Sequence, residues 1–512
     1  MMFAKRVNNK LLQHRLDSWF YNPKALDVDN TLNQLGNCYA LKELVDDKRK
    51  ITNGVRGPDW KESTYKLIRL QDCKNWIVDS DNAASISVDQ YIENKRCALK
   101  EHDIVVAIGG YVGNASVVNE PATAVIGQHS AMLSYKEGGL VDSRYLVAFL
   151  NSSHAEIIFD RFVSGTVQAG VNLEDLRDLP APVFDFSAQR YIGDKVRQAE
   201  KLRAWAKKVE VDVNSFHQQF IPGQSKLDFS RKTRFVSRER MTDRFDAHFY
   251  PGVVEDYLAS KTSTFQLLGK VTATVFNGQT QDETEGSSAV DQITVANLSR
   301  DYVKGKPRRV SKPGSNDKFT KRHDLLICNA AHNKSYIGRD VTYYHSENPV
   351  LPSTEVMVIR VDRNELPASF VRTYLLTKLG FVQVQSTIRG ITAHSYPVDM
   401  KKLDIPVPDV PAPLRDEWFA CDVQMAQAGY ACEVASKLTS AAKFIVEALI
   451  EGRITEQQLI NAQQAVVADD TSLDQDILAR LTTKGFDVDG DPLFADLDQL
   501  YDLLAQSHQM DE

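Results

Sequence analysis

Two histidine-aspartate pairs are the residues of this chain whose chemistry is easiest to name. His102 is followed by Asp103, and His323 by Asp324. An imidazole beside a carboxylate can exchange protons with a substrate or ligate a metal ion. Each pair, however, directly precedes a short apolar run, where aspartate commonly ends a turn. We therefore predict two turns that lead into buried strands, and no catalytic residue.

Two other segments resemble ligand-binding loops only in part. Acidic residues follow Asp487 at calcium-loop spacing, but position six is Pro492 instead of glycine, and position twelve is Asp498 instead of glutamate. The glycines from Gly109 to Gly113 lack the Gly-Lys-Ser/Thr sequence of phosphate-binding loops. No Asn/Asp-Pro-Pro-Phe/Tyr motif of a base-flipping methyltransferase occurs. We predict no metal and no cofactor in this chain.

Composition limits the class of protein. The 512 residues are 43% hydrophobic and 25% charged, with a mean hydropathy of -0.33, which excludes disordered and fibrous chains. No apolar run reaches the roughly 18 residues of a membrane span, and the first ten residues are too polar for a secretion signal. The six scattered cysteines, without Cys-x-x-Cys, are typical of reduced thiols. We predict a cytoplasmic protein without membrane contact.

Charge is distributed unevenly along the chain. The net charge is -7, but residues 453–512 alone carry 13 acidic and 3 basic side chains, a net of -10. The preceding 452 residues are therefore slightly basic, at +3. The acidity belongs to a C-terminal extension and does not argue against an anionic ligand for the rest.

A long internal repeat organises the chain, with an offset of 221 to 229 residues. Five motifs return in the same order: Arg15–Pro23 as Arg244–Pro251, His102–Val106 as His323–Ile327, Tyr111–Gly113 as Tyr336–Gly338, Gly165 as Gly390, and Leu179–Pro182 as Ile405–Pro408. Short runs rich in valine and isoleucine predict strands at 104–108, 123–126, 325–327 and 356–361. Helical stretches are predicted at 142–162 and 367–383. Each copy is therefore predicted to be a β-rich α+β body.

A long helix with an apolar seam follows each body. The first seam runs from Ile192 to Phe216 and the second from Leu414 to Leu449, at steps of three and four residues. Each seam needs a partner, and the other copy has the matching one. We predict that the two helices pack as an antiparallel coiled-coil-like pair. The first, at 1.5 Å per residue, is about 46 Å long, or roughly 14 base pairs of DNA.

Basic residues cluster in one segment of the second copy and more loosely in the first. Between residues 300 and 322 only Asp301 and Asp317 oppose nine of them, in a segment predicted to be an exposed hairpin or flap. We predict phosphate contacts there, with an ordinary solvated loop as the alternative. The second-copy residues are Arg300, Lys304, Lys306, Arg308, Arg309, Lys312, Lys318, Lys321 and Arg322. The first-copy candidates are Arg56, Lys61, Lys66, Arg69 and Lys74, and Trp60, Tyr65 and Trp76 are interleaved with them.

The doubled order of these motifs resembles the DNA-specificity (S) subunit of type I restriction-modification systems. The resemblance covers residues 15–451, and its closest local match runs from Ser164-Gly165-Thr166-Val167-Gln168 to Pro182 and into the first long helix. The second copy departs from it, with Arg389-Gly390-Ile391-Thr392 at the corresponding position. A role of Gln168 therefore need not transfer to the second copy.

The resemblance implies two pseudo-symmetric target-recognition domains that read the two halves of a bipartite site in double-stranded DNA. It gives residues 1–186 as the first such domain, 187–222 as a central conserved helix, 223–411 as a linker with the second domain, and 412–451 as a distal conserved helix. Two modification subunits with S-adenosylmethionine would methylate adenine N6. Restriction subunits that use ATP and Mg²⁺ would cut DNA in defence against phage.

Two questions stay open at this level. The alternatives to a recognition subunit are a stand-alone DNA methyltransferase or nuclease, and an interaction scaffold that never contacts DNA. The acidic helical extension, residues 452–512, lies outside the repeat. It could pack on its own chain, bind a partner subunit, or mimic the charge of DNA.

Overall fold

The computed structural model describes residues 19–120, 123–163, 170–223, 228–229, 236–260 and 264–508. They divide into two compact units. Unit 1 comprises the described residues of Met1–Leu202 and Val434–Glu512, and unit 2 those of Arg203–Glu433. The predicted motifs Arg15–Ser18 and Ser164–Gln168 lie outside the described residues.

Unit 1 begins with short helices and strands. Its helices before the first long helix are α1 (Pro23–Leu35), α2 (Leu41–Leu44), α3 (Val88–Glu93), α4 (Ser143–Leu150), α5 (Ser153–Phe162) and α6 (Leu173–Arg177). Its strands in the same part are β1 (Cys38–Ala40), β2 (Thr52–Asn53), β3 (Lys66–Ile68), β4 (Cys73–Lys74), β5 (Ile77–Val78), β6 (Ala84–Ser85), β7 (Ile104–Ala107), β8 (Ala115–Val117), β9 (Ala124–Ile126), β10 (Ser130–Leu133) and β11 (Pro180–Pro182).

The main sheet of unit 1 has the strand order β2-β10-β7-β8-β5-β4. Strand β7 lies within it, antiparallel to β10 and β8, and all four of its side chains are buried. A smaller side sheet has the order β6-β3-β9, in which β3 is antiparallel to β6 and parallel to β9. Strands β1 and β11 form a separate pair. The core of the unit therefore lies around the apolar strands that the sequence predicted.

Unit 2 contains the second set of strands. Its elements between the two long helices are α8 (Gly252–Ser260), β12 (Phe265–Leu267), β13 (Thr272–Asn277), β14 (Val290–Ile293), β15 (Arg308–Val310), β16 (Leu325–Cys328), β17 (Val341–Tyr343), β18 (Leu351–Pro352), β19 (Val356–Val361), α9 (Ala368–Leu376), α10 (Lys378–Ser386), α11 (Pro397–Met400) and β20 (Asp404–Pro406). The main sheet has the order β13-β19-β16-β17 and the side sheet β15-β14-β18, while β12 pairs with β20.

The predicted helical stretches at 142–162 and 367–383 are each two helices. In unit 1 the break precedes Ser152, whose hydroxyl accepts a hydrogen bond from the amide of Ala155 at 3.3 Å and so begins α5. In unit 2 the hydroxyl of Thr377 accepts one from the amide of Gly380 at 3.1 Å and begins α10. A hydroxyl residue that caps a new helix redirects the chain although the apolar pattern continues.

The two histidine-aspartate pairs form the predicted turns. His102 and His323 both have left-handed backbones, with φ of 69° and 73°, a conformation that is uncommon outside glycine but that histidine adopts more often than most residues. The carboxylate of Asp103 accepts the Lys100 amide at 2.7 Å and pairs with Arg49 at 2.6 Å. In unit 2 the carboxylate of Asp324 accepts the Lys321 amide at 2.7 Å and pairs with Arg360. Each buried aspartate therefore closes the turn that leads into a central strand.

The two long helices are α7 (Phe186–Gln218) and α12 (Arg415–Ile450). The predicted seams are largely buried: Ile192, Val196, Ala199 and Leu202 of α7 are inaccessible to solvent. In unit 2, Trp418 of α12 contacts the ring of His217 of α7, with 4.8 Å between ring centres. No helix in the described part of the chain is long and apolar enough to cross a membrane.

The acidic extension packs on its own chain within unit 1. It forms α13 (Glu456–Val467), α14 (Ser472–Ala479), the hairpin β21 (Leu481–Thr482) and β22 (Gly485–Phe486), and α15 (Leu497–His508). Asp474 of α14 is buried and accepts hydrogen bonds from Lys195 and Tyr191 of α7, at 2.6 and 2.5 Å, and from Tyr501 of α15 at 2.6 Å. Of the three alternatives for the extension, packing on its own chain describes this arrangement.

Replacing Asp474 by alanine is expected to loosen the extension. Lys195 would stay buried without a counter-charge, which costs about 3–5 kcal/mol in the free energy of unfolding. Burial raises the pKa of Asp474, but the charge and hydrogen bonds of Lys195 and the two tyrosines bring it below its ordinary value. In the wild type, the contribution of Asp474 to the free energy of unfolding should therefore be complete above about pH 3.9, the pKa in the unfolded chain. It should be lost as the pH falls through the lower pKa of the folded state. Limited proteolysis measures the loosening of the extension, and unfolding at several pH values measures the loss of stability. Equal stability of Asp474→Ala and the wild type at pH 7 would contradict the prediction.

A second buried carboxylate joins α12 to the body of unit 2. Asp422 accepts the amides of Ala368 and Ser369, at 3.2 and 2.8 Å, and the Arg363 guanidinium at 2.8 Å. Helix α9 follows Pro367, whose side chain cannot accept these hydrogen bonds, so Asp422 supplies the cap from another helix.

We expect Asp422→Ala to lower the free energy of unfolding of unit 2 by about 2–4 kcal/mol, because two helix amides and an arginine lose a buried acceptor. Denaturant unfolding measures this change. Asp409→Ala is the matched control, since Asp409 is exposed in the same unit and should change stability by less than about 0.5 kcal/mol. Similar losses in both variants would show that the cap is unimportant.

Candidate nucleic-acid interface

The side sheet of unit 2 carries the centre of the predicted basic segment. Residues 308–310 form β15, which pairs antiparallel with β14, so this part of the predicted flap is an edge strand of a sheet. Arg308 and Arg309 are both exposed on this strand. Arg308 lies 3.4 Å from the carboxylate of Glu283, and Arg309 lies 2.9 Å from that of Asp291, directly opposite in the register. The strand therefore presents two arginines whose charges are partly neutralised by neighbours.

The other basic residues of this segment surround the edge strand unevenly. Lys304 and Lys306 are exposed on either side of Gly305, whose φ of 68° makes the turn, and the Asn297 amide holds the turn through the Lys304 carbonyl at 2.9 Å. Arg300, Lys312 and Lys321 are also exposed.

Two predicted residues of the segment are committed to contacts elsewhere in unit 2. The ammonium of Lys318 lies over the Phe276 ring, 4.9 Å from its centre. Arg322 pairs with Glu347 at 2.8 Å. These two are less available to a ligand than the exposed residues.

In unit 1 the predicted residues gather around the corresponding small sheet. Lys66 is part of β3 and donates to the Ser85 hydroxyl of β6 at 3.2 Å. Lys61 pairs with Asp59 at 3.0 Å, and this hydrogen bond raises the pKa of Lys61. Arg69 pairs with Asp72 at 3.2 Å. The arrangement again combines lysine and arginine with nearby carboxylates.

Two further predicted residues of unit 1 lie outside this sheet. Arg56 is exposed before it, and Lys74 is exposed on the β4–β5 hairpin of the main sheet. The hairpin turn is formed by Asn75 and Trp76, with φ of 53° and 68°. A two-residue turn with both φ values positive matches strand twist and favours asparagine first, but tryptophan is unusual at the second position. The sequence pattern indicated Trp76 only as an aromatic residue interleaved with the basic ones.

Trp60 is a structural partner of one of the basic residues, which the sequence pattern did not indicate. Its ring is half-exposed, and the Arg69 guanidinium lies 5.7 Å from the ring centre. An arginine held between a carboxylate and an indole is oriented as well as charged. Aromatic residues spaced among lysines and arginines were a usable signal, but the specific pair depends on strands that are distant in sequence.

The acidic partners of the arginines in unit 2 are a larger difference between the sequence prediction and the structure. Glu283, Asp291 and Glu347 lie outside residues 300–322, so a charge count over that segment overestimates its positive potential. Only the pairing of β15 with β14 and the folding of the neighbouring loops bring them together.

The histidine-aspartate turns have the properties of structural elements. Burial lowers the pKa of His323 to about 4, and its Nδ1 lies 2.7 Å from the Tyr343 hydroxyl. This imidazole is therefore neutral at pH 7. The acidic Asp487 pairs with Arg480. In the described residues, no group of three or more histidine, cysteine or acidic side chains is arranged to hold a metal ion.

No family model matches the chain. The specificity subunit of the type I restriction enzyme EcoBI from Escherichia coli is 27% identical over 219 residues, which cover 42% of this chain and 44% of that protein. The chain thus spans less than half the length of this curated relative.

Two solved structures are also similar. One is the S subunit of a type I restriction-modification system from M. genitalium, with 13% identity, a TM-score of 0.37, and coverage of 83% of this chain and 95% of that one. The other is the HsdS subunit from Thermoanaerobacter tengcongensis, with 14% identity, a TM-score of 0.26, and coverage of 81% and 97%. The sequence comparison confirms the resemblance that the repeated motifs predicted: over 219 residues, this chain is similar to a specificity subunit of a type I restriction enzyme.

Proposed function

We propose that this chain is the non-catalytic DNA-recognition subunit of a type I restriction-modification complex. The observation that carries the proposal is that each unit has a small sheet with predicted phosphate-binding residues around it, Lys66 in unit 1 and Arg308 with Arg309 in unit 2. Two basic sheets in one chain fit a ligand that is contacted twice, and double-stranded DNA offers regularly spaced phosphates.

The strand orders support two pseudo-symmetric target-recognition domains. The order β2-β10-β7-β8 in unit 1 corresponds to β13-β19-β16-β17 in unit 2. In both side sheets the middle strand is antiparallel to one neighbour and parallel to the other. An asparagine-glycine step ends the outer main-sheet strand in each unit, where a Cβ on Gly54 or Gly278 would lie 2.1 Å from a carbonyl oxygen. These shared details extend the sequence repeat.

Contacts in unit 2 support the antiparallel pairing of the long helices. Near its beginning, α12 places Trp418 against His217, which is close to the end of α7. Further along, burial and Asp301 raise the pKa of Cys432 to about 12, while Arg203, earlier in α7, opposes the shift. Residues later in α12 therefore lie near residues earlier in α7, as in an antiparallel pair. We propose that this pair sets the distance between the two half-sites.

The charge arrangement supports phosphate contacts that compete with internal ion pairs. Exposed pairs such as Arg308 with Glu283 are worth little in water, so an incoming phosphate can replace the carboxylate at small cost. Acids beside the arginines also weaken binding to arbitrary polyanions. Specificity would then come from polar side chains that reach base edges.

The partners and cofactors of the complex follow from the same proposal. Two modification subunits would bind S-adenosylmethionine and methylate adenine N6, and restriction subunits would use ATP and Mg²⁺ to cut DNA in the cytoplasm. Residues 1–186 and 223–411 would then be the target-recognition domains, with 187–222 and 412–451 as the helices between them and 452–512 as the extension. A stand-alone methyltransferase or nuclease is not favoured, because the similar protein is a specificity subunit.

Co-expression of the chain with a type I modification subunit from the same genome should produce adenine-N6 methylation at a bipartite motif with a fixed gap. Each half would be read by one domain, and the gap would reflect the helix pair. Single-molecule sequencing of the host DNA measures the motif. A host without this chain is the control, and methylation at one continuous site, or at none, would contradict the proposal.

Replacing Arg308 and Arg309 together by alanine should weaken binding of the assembled complex to a duplex with that motif by on the order of tenfold. A plot of the logarithm of the association constant against the logarithm of the salt concentration has a negative slope. The magnitude of this slope should decrease by about 1.8, because each lost phosphate contact removes about 0.9. Titrations between about 50 and 200 mM salt measure both. Lys484→Ala, at an exposed lysine of the extension, is the matched control. If the chain is a scaffold that never contacts DNA, the wild type, the double variant and Lys484→Ala will show the same affinity and the same salt dependence.

A further inference from the structure

An exposed tyrosine occupies the same position of the repeat in both units. Tyr111 follows the central strand β7 of unit 1, and Tyr336 follows the central strand β16 of unit 2. We call residues 109–113 and 334–338 the tyrosine loops. The two side chains are 83% and 46% exposed, so a large part of each faces solvent. One exposed aromatic residue is ordinary, but the same residue exposed at the same place in two diverged copies indicates a shared contact outside the unit.

A glycine two residues after each tyrosine fixes its loop. Gly113 and Gly338 have φ of 93° and 74°, a backbone conformation that favours glycine. A Cβ on Gly113 would lie 2.8 Å from the Phe159 ring of α5, and a Cβ on Gly338 would lie 2.2 Å from the Val384 side chain of α10. Both tyrosine loops are therefore packed closely on the second helix of the helical pair in their own unit.

Hydrogen bonds hold both tyrosine loops in place. In unit 1 the amide of Gly113 donates to the Ala107 carbonyl at 2.9 Å. In unit 2 the side-chain amide of Gln385 donates to the carbonyls of Lys334 and Ile337, at 3.0 and 2.5 Å. An exposed side chain on a loop that is already ordered binds a ligand at a lower entropic cost than one on a mobile loop.

Basic side chains accompany the tyrosine loop of unit 2. Lys334 of this loop is exposed, and the guanidinium of Arg339 lies over the Tyr336 ring, 4.4 Å from its centre. Arg339 also pairs with Asp340 at 2.8 Å, which neutralises part of its charge. The Tyr336 hydroxyl is thus presented together with an ammonium and a guanidinium group, and phosphate groups bind to this combination of side chains.

In unit 1 the tyrosine loop adjoins the side sheet that carries predicted phosphate-binding residues. A Cβ on Gly110, next to Tyr111, would lie 3.7 Å from the side chain of Leu70. Leu70 directly follows Arg69, which pairs with Asp72 at 3.2 Å and so keeps only part of its positive charge. The loop therefore lies beside the end of β3, close to one of the predicted basic residues.

Exposed side chains near the tyrosine loops differ between the two units, whereas the tyrosine does not. Two residues after the side-sheet strands β9 and β18, unit 1 has Gln128 and unit 2 has Thr354, and both are exposed. Side chains that read bases must differ between two domains that read different half-sites. A residue that both domains keep is suited to the phosphates and sugars, which are the same at every base pair.

We infer that the hydroxyl groups of Tyr111 and Tyr336 each donate a hydrogen bond to a phosphate of the half-site that their unit contacts. The inference rests on the proposed function, in which this chain recognises double-stranded DNA. Tyrosine hydroxyls are among the groups that contact phosphates and thereby fix the register of a protein on the duplex. The same motif would position both units on the DNA backbone, while the side chains that differ read the sequence.

The experiment measures binding of the assembled complex to a duplex with the methylated motif and to a duplex of equal length without it. Tyr111→Phe and Tyr336→Phe, which remove the hydroxyl and keep the ring, should each weaken binding to both duplexes by the same factor, about fivefold. The salt dependence should stay that of the wild type, because an uncharged hydroxyl releases no counterions. Tyr39→Phe is the matched control, since Tyr39 is an exposed tyrosine of β1 in unit 1 that lies outside the repeated motifs.

The outcomes separate this inference from the function on which it rests. A wild-type complex that binds neither duplex contradicts the proposed function and the inference together. A wild-type complex that binds, with tyrosine variants that bind equally well, overturns only the inference. Variants that lose affinity for the motif duplex alone would show that the tyrosines read bases, and variants that lose a modification subunit in mass photometry would show that they form a protein contact. Both of these results also overturn the inference.

Discussion

Each β-rich body is fastened to a long helix by one buried carboxylate at a helix N-terminus. In unit 1, Asp142 caps α4 by accepting the amide of Arg144 at 2.9 Å, and Arg197 of α7 binds the same carboxylate. In unit 2, Asp422 of α12 caps α9 directly. The amides at a helix start need an acceptor when they are buried, and in each unit the carboxylate that accepts them either contacts a long helix or belongs to one.

The electrostatics of unit 2 are divided between two surfaces. The edge strand with Arg308 and Arg309 has exposed cations and weak, solvated ion pairs, which another anion can replace. Around Asp399 the pairs are held by a buried acid. The first surface suits a ligand that supplies negative charge, whereas the second holds two chain segments together through Arg244 and Arg389. The net charge of -7 describes neither, because the acidic extension dominates it.

Features that depend on local pattern could be predicted from the sequence. The apolar strands at 104–108 and 325–327, the histidine-aspartate turns and both long helices are encoded by residues close to one another, and all are present. The helix breaks at Ser152 and Thr377 were missed, because an apolar periodicity that continues hides a capping hydroxyl. The Asn-Gly steps at Gly54 and Gly278 are a further signal of the repeat in the sequence.

The small sheets could not be predicted in the same way. Strands of two to four residues such as β3, β6 and β15 carry too little pattern, and their partners are fixed by distant contacts. The candidate site was therefore anticipated by residue type but not by geometry. The basic side chains were identified, whereas the pairs of Arg308 with Glu283 and of Arg69 with Trp60 depend on strand pairing.

The two fastening carboxylates have a consequence for exchanging the β-rich bodies between chains. The acid belongs to the body in unit 1, as Asp142, and to the long helix in unit 2, as Asp422. A chimera with the first body grafted onto α12 would bring Asp142 and Asp422 to the same helix start, and two carboxylates there repel unless one takes up a proton. Only a graft that also carries arginine into position 422 restores the attraction. Each long helix is thus matched to its own body, and replacing a body requires its anchoring residue to be transferred with it.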